Sequence, residues 1–431
     1  MTKRGDDCGP PAAPIHPTLG RREFLRAAAT LAAAGVVLIG PNAWAARALD
    51  GDSSRKRLVV VFMRGAVDGL NVVVPCGDSQ YYDSRPTIAI PRGGGPDGAL
   101  NLDGHFGLNP NLAALMPHWT DGTLAFVHAS GSPDPSRSHF DAQFYMESGT
   151  PGVRATADGW MNRMLAAIPG RHGATEALSL GPIVPRILSG RMPVANLPLG
   201  RGAARPMPLD NPRVEDAFDR LYDGGDALSR AYQEGRGARR KLLAELEADM
   251  RAADAGAPPP DGFPGDTTRL AHLIARDPSI RIAFMALGGW DTHVNQGANR
   301  GQLAQRLKPL GDGLADFARQ LGPAYADTVI IVISEFGRTV RENGDAGTDH
   351  GHGNVMWLMG GPVRGGRVYA DWRGLSPAAL YQERDVPVTI DFREPIGRVL
   401  SAHLGLDEAR IARVFPHRPA PTGHTAGIVT T

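Results

Sequence analysis

Five short runs of apolar, mostly β-branched residues punctuate the chain: Arg57–Met63 (RLVVVFM), Thr123–Ser130 (TLAFVHAS), Ile280–Leu287 (IRIAFMAL), Thr328–Ser334 (TVIIVIS) and Val355–Gly361 (VMWLMGG). Each is nearly continuous in hydrophobicity rather than alternating. That pattern suits strands covered on both faces, as in a parallel sheet sandwiched by helices. Helical periodicity lies between them, at Asn109–Trp119 behind an Asn cap and at Gly301–Leu321 just before the TVIIVIS run. Strands alternating with helices predict an α/β fold with a doubly wound, largely parallel sheet. Residues 211–257 differ. They are charged, rich in Ala and Leu, and followed by a Pro/Gly linker, which predicts a helical insertion or cap. The basic RGARR patch within them reads as a solvated helix face.

The first 45 residues form a separate unit. Arg21 and Arg22 precede Phe24 and Leu25, an apolar run spans Ala27–Gly40, and AWA ends at Ala45. This is the pattern of a twin-arginine signal peptide with a small-residue cleavage site. The run falls short of the roughly 20 residues needed to span a bilayer, so no stable transmembrane anchor is expected. The expected partner during export is the twin-arginine translocase, and the destination is the periplasm or the exterior. Residues 46–431 then form the α/β domain.

Composition narrows the chemistry. The chain has 431 residues, 42% hydrophobic, with a net charge of +1. The mature part carries 41 basic and 42 acidic residues, so no nucleic-acid partner is expected. Removing the signal leaves Cys76 as the single cysteine. That excludes an intramolecular disulfide and a cysteine-ligated cluster. No G-x-G-x-x-G, Walker A or G-x-S-x-G sequence is present.

Polar clusters follow the strand candidates, where ligands bind in parallel α/β sheets. Arg64 and Asp68 follow the first run. Ser136, Arg137, Ser138 and His139 follow the second, Asp291 and His293 the third, and Glu335 and Arg338 the fourth. Asp349, His350 and His352 stand in GTDHGHGN, before the last strand. Mixed carboxylate and imidazole donors suit zinc, manganese or a related divalent ion. Asp68, Asp291, His293, Glu335, Asp349, His350 and His352 are the metal-ligand candidates, enough for one or two ions. The glycines around His350 would let the backbone turn tightly. Ser138, with Ser136 in reserve, is the candidate nucleophile. Equally, Ser138 would be only the N-cap of the following helix, with His139 packed nearby. Arg64, Arg137 and Arg338 are candidates to grip an oxyanion.

The order of VVVFMRGAVDGLN, SRSHFDAQ, GGWDTH, ISEFGRT and TDHGHGNVMWLMGGPVRGG resembles a family of twin-arginine-exported bacterial proteins labelled as a domain of unknown function. The resemblance runs from about Arg57 to the DVPVTIDFREPIGRVLSAHLGL segment. That family is similar to the alkaline phosphatase and sulfatase superfamily. The resemblance implies an alkaline-phosphatase-like core, a metal site at the strand ends, and hydrolysis of phosphate or sulfate esters, small or polymeric. It implies one or two divalent ions, zinc first, with manganese or calcium as alternatives. By position, Asp68 matches the acidic ligand after the first strand, and Asp291 with His293 matches a metal-holding pair. Asp349 and His350 match an adjacent Asp-His pair, and His352 a last imidazole. DPSRS is similar to a sulfatase motif, but Pro133 stands where its modified cysteine would be. The competing expectation is an inactive, alkaline-phosphatase-like binding or cell-surface protein with a structural metal. An exported redox enzyme is a third, disfavoured by the missing cysteine clusters and nucleotide motifs.

Overall fold

The computed structural model describes residues 56–197, 217–234 and 262–430, apart from 96, 171, 174, 182, 218 and 225. The signal segment and most of the 211–257 stretch lie outside the described residues. Where that stretch is described, residues 219–221 and 227–234 are helical. Among the described residues no helix is long and apolar enough to cross a membrane.

The apolar runs become the centre of a nine-stranded sheet. Its strands are β1 (Arg57–Met63), β5 (Leu124–Gly131), β6 (Ala177–Leu180), β7 (Ala195–Leu197), β8 (Ile282–Leu287), β9 (Thr328–Ser334), β10 (Asn354–Gly360), β11 (Arg367–Tyr369) and β12 (Ile390–Asp391). The order is β11-β5-β10-β9-β1-β8-β6-β7, with β12 also on β5. A small antiparallel sheet joins β2 (Val73–Val74), β4 (Gly107–Leu108) and β3 (Leu100–Asn101).

Alternation along β1 explains why its run is continuously apolar. Val59, Val61 and Met63 enter one core, with α3 (Gly262–Arg276) and α4 (Gln302–Leu321). Leu58, Val60 and Phe62 enter the other, with α2 (Trp160–Ala167), α5 (Arg393–Arg398) and α6 (Glu408–Val414). Alternate side chains thus face opposite helix layers, so both sets are apolar. The expected helix at Asn109–Trp119 is instead a 3-10 stretch, Pro110–Leu115, followed by one α-helical turn, Met116–Thr120. Asn109 caps the first by accepting from the Asn111 amide.

One departure from the expected sheet matters for the site. β10 runs antiparallel to both β9 and β5. The β9–β10 connection holds no crossover helix, so the chain can only double back. Consequently the start of β10 lies at the same sheet edge as the ends of β1, β5, β8 and β9. The residues just before β10 therefore join those just after the other strands.

Two buried histidines predict acid sensitivity. His128 on β5 faces the Val73 carbonyl at 3.0 Å through Nε2, while its Nδ1 accepts from the Ala129 amide at 2.9 Å. His403 Nε2 faces the Arg57 carbonyl at 2.9 Å. Burial pushes both imidazoles down to about 4. Below the unfolded value of roughly 6.5 the unfolded chain takes protons that the folded chain refuses. Stability therefore falls as pH drops from about 6.5 towards 4, by up to about 3 kcal/mol per histidine, with no contribution above that window. Denaturant unfolding at pH 7.5 and 4.5 checks this. His403→Gln, which keeps a donor for the Arg57 carbonyl, should flatten the pH dependence. An unchanged slope would contradict the assignment.

Candidate metal centre

Three strand ends deliver four side chains to a common point. His139 is the first residue of α1 (His139–Ser148), which follows β5. Asp291 and His293 follow β8, and His350 precedes β10. His139 Nε2 and His350 Nε2 are 2.9 Å apart, and His293 Nε2 is 3.0 Å from His350 Nε2. The Asp291 carboxylate approaches all three imidazoles. Its oxygens lie 3.5 Å from His139 Nε2, 3.0 Å from His293 Nε2 and 3.5 Å from His350 Nε2. His139, Asp291 and His350 form the compact trio, with donor atoms within 4.8 Å of one another. His293 stands at the more open rim. The four side chains are between 22% and 45% exposed, so the point is reachable from solvent.

The far side of each ring shows which protons are present. His139 Nδ1 lies 2.8 Å from Glu335 Oε1, His293 Nδ1 3.3 Å from Asp349 Oδ1, and His350 Nδ1 2.9 Å from the Arg137 carbonyl. All three partners accept and none donates. Each neutral ring must therefore carry its hydrogen on Nδ1 and turn a lone pair inwards through Nε2. Three lone pairs and a carboxylate then face one another at 2.9 to 3.5 Å with no hydrogen between them. Such an arrangement is repulsive unless positive charge sits among the donors, either a metal ion or a proton held between His139 Nε2 and His350 Nε2. Imidazoles held from behind by carboxylates or carbonyls are how proteins orient histidine for a metal. The donor set thus fits a divalent ion of the zinc type.

The same contacts set the charges. The Glu335 hydrogen bond raises His139 above its ordinary value against the pull of burial. Burial, with the neighbouring His139, lowers His350. Burial opposes the charge on Asp291, but the hydrogen bond and charge of Arg338 outweigh it and hold the carboxyl down. Glu335 is likewise kept low against burial by His139 and Gln143. Asp349 is lowered by its bond from Asn343 and then by His293.

Of the seven expected ligands, the structure brings Asp291, His293 and His350 to the point. Glu335 and Asp349 stand one step back, orienting His139 and His293. Asp68 is elsewhere. Its carboxylate is fully buried and taken up by Arg85 (2.6 and 3.0 Å) and Gln296 (2.6 Å). His352 is buried and packs on the Tyr381 ring, with centroids 4.7 Å apart. Desolvation, with Arg137 nearby, pushes it down to about 4. Neither belongs to the donor group.

The expected oxyanion grips are spent on the protein. The Arg338 guanidinium is buried and donates to the carbonyls of Gly65, Ala66, Trp290 and Thr348 and to Asp291 Oδ1 at 2.6 Å. It positions Asp291 rather than meeting a ligand. Arg137 pairs with Asp385 at 2.6 Å and Gln382 at 2.8 Å. Arg64 binds Gln143 at 2.9 Å and Glu147 at 2.5 Å. Ser138 caps α1, accepting from the Asp141 amide, and Ser136 accepts from the Ser138 amide. Among the described contacts, neither hydroxyl touches the donor residues.

His139 is the donor that sequence reading missed. The positional rule that picked out the others applied to it as well, since it ends the loop after β5. Its place beside a capping serine made packing the competing reading.

The glycines serve close approach rather than a left-handed turn. A Cβ on Gly347 would stand 2.1 Å from the His293 carbonyl oxygen, and one on Gly351 2.5 Å from the Arg338 backbone. The 347–353 loop thus lies flat against two other strand-end loops. The Thr348 amide donates to the Thr292 carbonyl at 3.2 Å, and Asn343 Nδ2 to the His293 carbonyl at 2.9 Å.

Fold and site together define a helix-flanked α/β protein with a candidate metal centre at the edge where its parallel strands end. Residues 109–415 match the model of a family described as "Protein of unknown function (DUF1501)", and the chain belongs to that family. The match begins beyond β1 and the turn that carries Asp68. No curated protein matches the chain. Similar solved structures include the C-terminal periplasmic domain of EcEptC from Escherichia coli, at 11% identity and TM-score 0.32, covering 72% of this chain and 74% of that one. Another is the lipoteichoic acid synthase LtaP from Listeria monocytogenes, at 8% identity and TM-score 0.29, covering 80% and 73%. A third is the PsFucS1 sulfatase from Pseudoalteromonas sp., at 13% identity and TM-score 0.31, covering 73% and 64%. These likenesses are weak, and the chemistry of this chain rests on its own residues.

Proposed function

We propose that the protein is an exported, metal-dependent hydrolase of phosphate or sulfate esters. The observation that carries the metal is the convergence of three imidazole Nε2 atoms and a carboxylate on one point, each ring met from behind by an accepting oxygen. The ester class rests on the order of the strand-end motifs and their resemblance to the alkaline phosphatase and sulfatase superfamily. Export rests on the twin-arginine pattern of residues 1–45.

In this reading His139, His350 and Asp291 hold one divalent ion, zinc first. Three protein ligands leave a position open, as catalytic sites require. The ion supplies Lewis-acid polarisation of the ester and of an attacking water. The chain does the rest. Glu335 and the Arg137 carbonyl fix the tautomers of His139 and His350, and Arg338 fixes the Asp291 carboxylate. His293, at the exposed rim, has the geometry of a proton carrier. Asp349 faces Nδ1, so the Nε2 lone pair, beside Asp291 and His350, would take a proton from water and return it to the leaving oxygen. Hydrolysis forms the bond from water oxygen to phosphorus or sulfur and breaks the bond to the leaving alcohol.

No serine nucleophile is assigned. Ser138→Ala and Ser136→Ala are therefore expected to keep activity within about twofold, below the 10²–10⁴ that a working catalytic group contributes. Steady-state assays on aryl phosphates and sulfates measure this, with the chain loaded with zinc or manganese and then stripped by chelator. A protein inert with every ion would sink the hydrolase reading. A second reading is favoured by the four converging donors, which are enough to close a structural tetrahedral site. In that case the ion would raise the melting temperature and no ester would be turned over.

A further inference from the structure

Beside the metal centre lies a cavity of about 600 Å³. Helix α1 joins the two. It presents His139 to the donor cluster and Phe140, Gln143 and Phe144 to the cavity wall. The link is direct: Gln143 Nε2 donates to Glu335 Oε1 at 2.9 Å, the same oxygen that holds His139 Nδ1 at 2.8 Å. Arg64 lines the cavity as well, donating to Gln143 Oε1 and to Glu147, another lining residue.

The lining also has an apolar part, Leu180, Ile183 and Val184. Phe140 is 90% exposed and Ile183 73% exposed. Two large apolar side chains left in water along one cavity are not explained by the core, and such patches commonly mark ligand sites. Arg186 lies over the Phe144 ring at 4.2 Å, so the rim adds positive charge. The volume falls within the range of small-molecule sites, roughly 300–1,000 Å³.

We infer that this cavity takes the apolar part, aryl or branched alkyl, of an amphiphilic anionic ester whose head group sits at the metal centre. The inference rests on the hydrolase reading for the head group and on the cavity alone for the tail. An apolar tail would cover Phe140 and Ile183.

The test uses the full chain and two probes. Fluorescence titration with 1-naphthol, which has no ester or anionic head, reads the cavity alone. Steady-state kinetics on 1-naphthyl phosphate and methyl phosphate read cavity and centre together. Phe140→Ser with Ile183→Ser, both at exposed positions, should weaken 1-naphthol binding about tenfold, the scale of losing apolar contact in a pocket. The same pair should raise KM for 1-naphthyl phosphate and leave methyl phosphate unchanged. Failure of 1-naphthol to bind the unaltered chain, or equal binding by the variant, would overturn the inference. If 1-naphthol binding behaves as expected and neither ester is cleaved, the cavity stands and the hydrolase reading falls.

Discussion

His350→Ala is expected to purify folded but without its ion. His350 Nε2 touches both of the other imidazoles, at 2.9 and 3.0 Å, so its loss separates the remaining donors. Changes to groups that merely orient a ligand already cost 10- to 100-fold in metal affinity. Removing the central ligand should exceed about 100-fold and take the bound metal from one ion per chain to near none. His293→Ala should behave differently. If His293 carries a proton rather than the ion, metal content stays near one and turnover falls by roughly 10²–10⁴. Elemental analysis after dialysis, circular dichroism and aryl-ester turnover separate the two. Equal metal loss in both variants would place His293 among the ligands and favour the closed, structural site.

The second large effect concerns Asp68 and Arg85, each with 0% of its side chain exposed. Arg85→Ala leaves the Asp68 carboxylate buried with only Gln296 beside it. Breaking a buried pair by removing one partner typically costs about 3–5 kcal/mol, and the unfolding free energy should fall by that amount. Arg85 also donates to the Val340 and Thr339 carbonyls, at 2.8 Å each, so the 339–340 loop should loosen with it. Denaturant unfolding measures the loss. In this account Asp68 supports the site from beneath. Gln296, which donates to Asp68, accepts from Thr292 and Thr348 at 2.8 and 2.9 Å. Those residues neighbour Asp291, His293 and Asp349. Asp68→Asn should accordingly be destabilised yet carry metal when folded. A variant of undiminished stability that carries none would restore Asp68 as a ligand.

Much of this was legible in the chain because burial on both faces leaves a plain mark. β1 and β9 coincide with their apolar runs, and the starts or ends of β5, β8 and β10 shift by one or two residues. The strand-end rule also placed Asp291, His293 and His350 near one edge. It worked for His350 for an unexpected reason: β10 runs backwards, so the loop before it reaches the edge that the other strands reach from behind. Strand direction is set by the connection, and the apolar run of β10 reads the same either way.

Residue type and position determined that an α/β sheet would form and that carboxylates and imidazoles would collect at its edge. Which of them meet was decided by the tertiary structure alone. Asp68 and Asp291 are both aspartates in loops after strands, but Asp68 finds a buried arginine and Asp291 stays half open beside three imidazoles. His350 and His352 are two residues apart. The glycines between and after them press the backbone against Arg338 and against Pro387, and one ring turns to the donor cluster while the other turns to Tyr381. A side chain's role depends on the partner it reaches. That partner comes from far along the chain, His139 lying 211 residues from His350, and local sequence carries no record of it.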